Sequence, residues 1–186
     1  MIFHGSFCIL MMEVIMLDVL IIGAGITGTA IMRELSRYDL DILAVDKDND
    51  VSCGTTKANS AIVHAGYDAP FGSNKAKFNV EGNRIYGDVC NELNVPFERI
   101  GSYVLAFSEE EKKHLVSLLE NGKKLGIEGM EIIEKDEILK NEPNINPEVK
   151  YALYAKTAGI VEPWELAIAY AENAMENGAN LKLNFE

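Results

Sequence analysis

The sequence predicts an α/β fold that opens on a nucleotide-binding strand–turn–helix–strand unit. Three observations predict it. The short, mostly apolar run 17–22 leads directly into Gly23-Ala24-Gly25-Ile26-Thr27-Gly28, a G-x-G-x-x-G turn. A helical pattern follows the turn, with Ile31 and Leu35 on its expected buried face. A second apolar run, 41–45, then closes on the carboxylate of Asp46. The glycines alone are weak evidence; the ordered set is specific.

Each part has a physical reason. Gly23 permits the tight turn off the strand, Gly25 lets the backbone approach a pyrophosphate, and Gly28 lets the helix pack on the strand. A helix starting near Ile26 points free N–H groups and its positive dipole end at phosphate. Asp46 lies at about the spacing, roughly 20 residues past the glycines, at which an acid accepts from an adenosine ribose. An acid there would repel a 2′-phosphate, so NAD or FAD is favoured over NADP.

The remaining elements follow in order. Residues 47–59 are polar and rich in Ser, Thr, Gly and Asp, which predicts a loop with one helical turn. Asn74 to Leu93 predicts a long helix, with Phe78, Ile85, Val89 and Leu93 at helical spacing, and Pro96 ends it. Two short strands meet at Gly101-Ser102 within 97–107. Ser108 before Glu109-Glu110-Glu111 starts a helix running to about Lys124, with an N-cap and acids in the first turn. A short helix at 136–141, strands at 151–155 and 159–161, and a helix opened by Pro163 and ended by Gly178 come next. Alternation over 181–185 predicts a last strand. The β-α-β rhythm of the start does not continue, so the middle reads as α+β material. The expected organisation is a loose extension or over-called start at 1–15, nucleotide-binding residues 16–75, a partial substrate domain at 76–178, and a strand at 179–186 returning to the first sheet. An open doubly wound sheet needs more parallel strands than these, which predicts an exposed sheet edge.

The net charge of −12, with acids spread along the chain, disfavours nucleic-acid backbones and anionic membranes as partners. No apolar run is long enough for a membrane span. Three dispersed cysteines, Cys8, Cys53 and Cys90, form no C-x-x-C pair; this points away from disulfides and metal sites and toward a reducing cytoplasm. His4 and His114 carry little weight. Lys75, Lys77 and Arg84 read first as the wet face of the long helix and second as attractors of an anion.

One stretch is more specific than the glycines. Asn59-Ser60 followed by His64-Ala65-Gly66, within Thr55 to Tyr67, resembles the D-amino-acid-oxidase-like family of FAD-dependent oxidoreductases. Within it the chain is most similar to the branches that oxidise glycerol 3-phosphate and L-2-hydroxyglutarate, and Gly72-Ser73, Lys75-Ala76, Phe78, Gly82-Asn83, Glu142 to Ile145 and Gly159 to Val161 match the hydroxyglutarate branch. The resemblance covers 17–186. It implies a Rossmann-like FAD/NAD(P)-binding domain interrupted by an α+β substrate domain and truncated at its C-terminal side. It implies FAD as cofactor, with Gly23, Gly25, Ile26, Thr27 and Gly28 along the pyrophosphate, Asp46 on the ribose and Lys47 near the adenine. Thr55, Thr56, Asn59 and Ser60 would hold the pyrophosphate and ribityl side. Ala61 and Ile62 would pass the isoalloxazine, and His64 would take a proton from a small anionic substrate, glycerol 3-phosphate or a 2-hydroxy acid. No metal is expected, and the motifs carry no signature for the electron acceptor. Two departures stand out: Asp46 where the family often has Glu, and bulky Met32 where a small residue is usual. The alternatives are a truncated, non-catalytic fragment, an amino-acid or amine oxidase of the same family, and an NAD-binding regulatory domain.

Overall fold

A computed structural model describes residues 16–185; the expectation for 1–15 lies outside the described residues. Strand β1 (Val19–Ile22), helix α1 (Ile26–Leu35) and strand β2 (Ile42–Val45) form the opening unit. Strand β3 (Ile62–Val63) follows a 3₁₀ turn at Thr55–Lys57. Then come α2 (Asn74–Glu92), β4 (Phe97–Glu98), β5 (Ser102–Ala106), α3 (Glu109–Lys124), β6 (Met130–Glu134) and α4 (Lys135–Asn141). The chain continues through β7 (Tyr151–Ala155), β8 (Gly159–Val161), α5 (Pro163–Glu176) and β9 (Asn180–Lys182).

Three sheets result. β1, β2 and β9 are parallel in the order β1-β2-β9, so β9 lies beside β2, and among the described residues no strand pairs with the other edge of β1. β3-β8-β4 is a small antiparallel sheet, and β5-β7-β6 a larger one. On the larger sheet side chains alternate between faces: Leu153 packs with Leu115 and Leu118 of α3, while Ala152 packs with Ile138 of α4. The small sheet is flanked by α2 and α5 through Val63, Cys90, Val161 and Leu166.

The parallel sheet is held by Ile21, Met32, Ile42, Ala44, Ala174 and Ala179. Met32 is fully buried, and the three alanines around it supply the room that a smaller residue would otherwise leave. Arg33, also buried, donates from Nε to Asn173 Oδ1 at 3.0 Å and pairs with Glu92 at 2.7 Å. It thereby ties α1 to α5 and α2.

Several sequence expectations need correction. Ile31 is 46% exposed, not buried; the inner face of α1 is Thr29, Met32 and Arg33, turned toward α5. Ile31 instead faces the groove along β1, where Leu20 and Ile22 are also exposed. On α2, Phe78 and Ile85 are exposed, and the inner stripe is Ala76, Val80, Asn83 and Cys90. Strand β6 was not expected at all: Met-Glu-Ile-Ile-Glu lacks strict alternation, and its strand form comes from pairing with β7. The last strand is shorter than the alternation of 181–185 suggests, because Asn184 sits at φ 53°. Among the described residues no helix is long and apolar enough to cross a membrane.

The closest approach in the opening unit is at Gly28, where an added Cβ would lie 1.9 Å from the carbonyl oxygen of Gly23. Gly28→Ala should therefore destabilise the chain by about 3 kcal/mol or more in urea denaturation, since backbone rather than a flexible side chain would have to move. Gly82, whose Cβ position is open, is the control: Gly82→Ala should leave stability unchanged or raised.

Candidate cofactor cleft and adjoining cavity

A cleft of about 750 Å³ lies against the glycine turn. Gly23, Gly25, Ile26, Thr27, Gly28, Thr55, Thr56 and Asn59 of the sequence-derived set line it, with β1 and Ile31 as its apolar wall. No charged side chain lines it, although the whole chain carries a net charge of −12. Lys47 and Ser60 are exposed and Asp46 is half-buried; these three, with Ala61 and Ile62, do not line the cleft.

The turn is built by convergent hydrogen bonds. Gly23, at φ 106°, donates its N–H to Val45 at 2.8 Å. The Ala24 N–H donates to Asp46 Oδ2 at 2.6 Å, and the Asp48 N–H to Asp46 Oδ1 at 3.0 Å. Asp46 thus staples the end of β2 to the glycine turn. The N–H of Asp48, then that of Ala24, then the Lys47 charge hold its carboxyl below the usual carboxylate range, against the opposing effect of burial. Each oxygen keeps a second lone pair.

The buried Thr56 hydroxyl accepts from the Ile26 N–H at 3.0 Å, so one of the first amides of α1 is occupied from within the chain. An added Cβ at Gly25 would meet this same hydroxyl at 3.2 Å. A side chain at residue 25 would therefore crowd the Thr56 hydroxyl of the 3₁₀ turn. The first intrahelical bond is Thr29 N–H to Gly25 C=O, which leaves the Thr27 and Gly28 amides facing the cleft. Helix N-terminal amides, a glycine turn that is crowded at Gly25 and Gly28 and the lack of a lining carboxylate all suit a pyrophosphate.

Beyond the cleft the chain is held tightly. Asn59 Nδ2 donates to the carbonyls of Thr55 and Thr56, and its Oδ1 accepts from Ala61 N–H at 2.7 Å. Ala61 sits at φ 59°, a left-handed conformation unfavourable for a residue with a Cβ. Asn59 and the bond from Val161 N–H to Ala61 C=O maintain it. Ile62 then pairs with Ile160, and both side chains are exposed on one side of the small sheet.

His64 lies in a second cavity of about 440 Å³, together with Lys75, Asn79 and His114. Its carbonyl accepts from Asn83 Nδ2 at 3.0 Å, and the same nitrogen donates to Thr157 C=O at 3.0 Å. Arg99 completes the node, donating to Asn83 Oδ1 at 3.1 Å and to Asn83 C=O at 2.7 Å. Sequence reasoning missed Arg99 and His114 as parts of this region. Spacing along one chain does not reveal neighbours across α2 and α3. The only signal was Asn83, a buried amide on an otherwise amphipathic helix. Cys53 is half-buried, and burial pushes the Cys90 thiol up to about 11. Among the described residues no group of three or more His, Cys, Asp or Glu is placed to hold a metal ion.

The family model described as FAD dependent oxidoreductase matches residues 18–186. A glycerol 3-phosphate dehydrogenase of Caloramator mitchellensis is 53% identical over 92% of this chain and 36% of its own length. A mitochondrial L-2-hydroxyglutarate dehydrogenase of Nematostella vectensis is 31% identical over 91% of this chain and 37% of its own. The structure of dithionite-reduced L-α-glycerophosphate oxidase from Mycoplasma pneumoniae with FAD bound superposes with a TM-score of 0.86. It is 30% identical and aligns over 91% of this chain and 45% of that one. The chain thus spans less than half the length of these relatives.

The Asp46 staple has a pH signature. Because its folded-state pKa is depressed, its contribution is present above the ordinary value of 3.8 and is lost as pH falls from there through the lower folded value. The stability difference between the wild-type chain and Asp46→Asn should therefore shrink as pH is lowered below about 3.8, followed by urea midpoint. A difference independent of pH would contradict the staple.

Proposed function

We propose that this chain, which belongs to the FAD-dependent oxidoreductase family, forms the cofactor cleft and one wall of the substrate cavity of an enzyme oxidising the CH–OH group of a small anionic compound. Glycerol 3-phosphate is the first substrate and a 2-hydroxy acid such as L-2-hydroxyglutarate the second. The observation that carries this reading is the segment from Thr55 to Gly66. It lines the phosphate-compatible cleft with Thr55, Thr56 and Asn59, and the adjoining cavity with His64 and Gly66. His64 lies five positions after Asn59, at most about 17 Å of extended chain. The 53% identity to a protein named glycerol 3-phosphate dehydrogenase, against 31% to one named for L-2-hydroxyglutarate, supports the order of substrates.

FAD, when bound, supplies the acceptor for the hydride leaving the substrate carbon. The rest of the work falls to this chain's residues. Thr27 and Gly28 present their amides to the pyrophosphate, with Gly23, Gly25 and Ile26 shaping the turn. Asp46 keeps lone pairs free for the ribose hydroxyls, and Lys47 lies toward the adenine. Thr55, Thr56, Asn59 and Ser60 border the pyrophosphate and ribityl portion. Ala61 and Ile62 would flank the ring system, for which the exposed apolar pair Ile62 and Ile160 offers a matching surface. His64 accepts the hydroxyl proton as the C–H bond breaks, so the alcohol becomes a carbonyl with its two electrons passed on. The dispersed cysteines, with Cys53 and Cys90 free among the described residues, support a cytoplasmic setting.

A second reading, a non-catalytic portion of such an enzyme, is favoured by one observation: the chain spans only 36% of the length of the dehydrogenase it matches at 53% identity. Anaerobic addition of glycerol 3-phosphate to the FAD-loaded chain separates the two. Bleaching of the flavin spectrum supports catalysis, and retained flavin without bleaching supports the second reading. Where bleaching occurs, His64→Asn should slow it by about 10²–10⁴-fold with flavin still bound. An unchanged rate would remove His64 from the proton transfer.

A further inference from the structure

The cavity beside His64 is assembled from two helical stripes. Lys75, Asn79 and Asn83 recur at four-residue spacing on α2 and so share one face. His114, Leu118 and Asn121 share one face of α3. The loop carrying His64 to Ala69 runs between these faces and is fastened to both. Asn83 holds the carbonyl of His64 on the α2 side. Asn121 Nδ2 holds the carbonyls of Tyr67 at 2.6 Å and Ala69 at 2.9 Å on the α3 side. Gly66, at φ 104°, allows the close approach to α2, since an added Cβ would meet Val80 Cγ2 at 2.9 Å and Asn79 Oδ1 at 3.2 Å. The cavity is therefore a built feature with fixed walls.

Its polar lining opposes the character of the whole molecule. The chain carries a net charge of −12, yet this cavity is lined by Lys75, His64 and His114, all three exposed, and by the half-buried Asn79, against the single acidic residue Asp68. Among the described residues Lys75 forms no ion pair, with Asp68 or with any other acid. Lys77, two residues on, lies outside the cavity and stacks over Phe78 at 5.5 Å. The volume of about 440 Å³ is that of a small-molecule site.

We infer that this cavity is a small-oxyanion site, with Lys75 as the charged ligand and His114 and Asn79 as N–H donors, and that it takes the phosphate or carboxylate end of a short substrate. Each of these three side chains carries N–H groups, Lys75 forms no ion pair among the described residues, and charge-assisted bonds to an oxyanion are the strong ones. That the same molecule presents its hydroxyl to His64 rests on the functional reading above; binding of the oxyanion does not.

The test is a titration of the 186-residue chain with inorganic phosphate, glycerol 3-phosphate and 2-hydroxyglutarate, read from the histidine side-chain NMR signals. Saturable shifts of His64 and His114 are expected. Lys75→Ala should weaken binding at least about tenfold, and Lys75→Arg should largely retain it. Lys77→Ala, the same charge change on the same helix, should leave it unaltered. Tighter binding of glycerol 3-phosphate than of 2-hydroxyglutarate assigns the site to phosphate, and the reverse order to carboxylate. No saturable shift with any of the three in the folded chain overturns the site, and so does equal weakening by Lys75→Ala and Lys77→Ala. Phosphate binding that depends on Lys75, in a protein whose flavin reduction ignores His64→Asn, leaves the oxyanion site standing and removes the proposed role of His64.

Discussion

The carbonyl oxygen of Gly23 occupies the position that any side chain at residue 28 would need. This contact seats α1 directly on the end of β1, and the rest of the cleft depends on it. With the helix in that place, its first amides open toward the groove. The Ala24 N–H turns back to Asp46, and the Ile26 N–H reaches the Thr56 hydroxyl. Three separate pieces of chain, the glycine turn, the end of β2 and the 3₁₀ turn, are therefore locked around one short backbone segment. Moving α1 outward by the width of a methyl group would strain all three.

A second node governs the other end of the site. The buried Asn83 side chain and the guanidinium of Arg99 satisfy one another and bind the carbonyls of His64 and Thr157. Buried amides held this way are stabilising when fully paired and costly when a partner is lost. The node connects α2, the start of the His64 loop and the β7–β8 turn. It is the link through which the α+β part of the molecule fixes a residue at the end of the cofactor segment. The strained Ala61, stabilised by Asn59, lies between the two nodes.

Much of this was legible in the sequence because it is local. The glycine turn, the N-cap Ser108, the start of α2 at Asn74, the strands β7 and β8 and the helix opened by Pro163 all follow from short-range rules, and the structure places them within a few residues of expectation. What was not legible depends on tertiary neighbours. Ile31 has the composition of a core residue, but its side of α1 faces the open groove of β1. Met32 looked too large until the alanines at 44, 174 and 179 were seen to surround it. Strand β6 exists because β7 pairs with it. Lys75 and His114 are exposed helix residues, as their place on polar helix faces implies; that they line one cavity follows only from the fastening of the 64–69 loop between α2 and α3.

The central claim is that the glycine turn and the Thr55 to Ile62 segment together make a working flavin cleft. The most direct measurement is the visible absorption spectrum of the purified 186-residue chain after incubation with FAD and desalting, with circular dichroism confirming that the chain is folded. The account predicts retained flavin at close to one equivalent. A folded chain that retains none would contradict it.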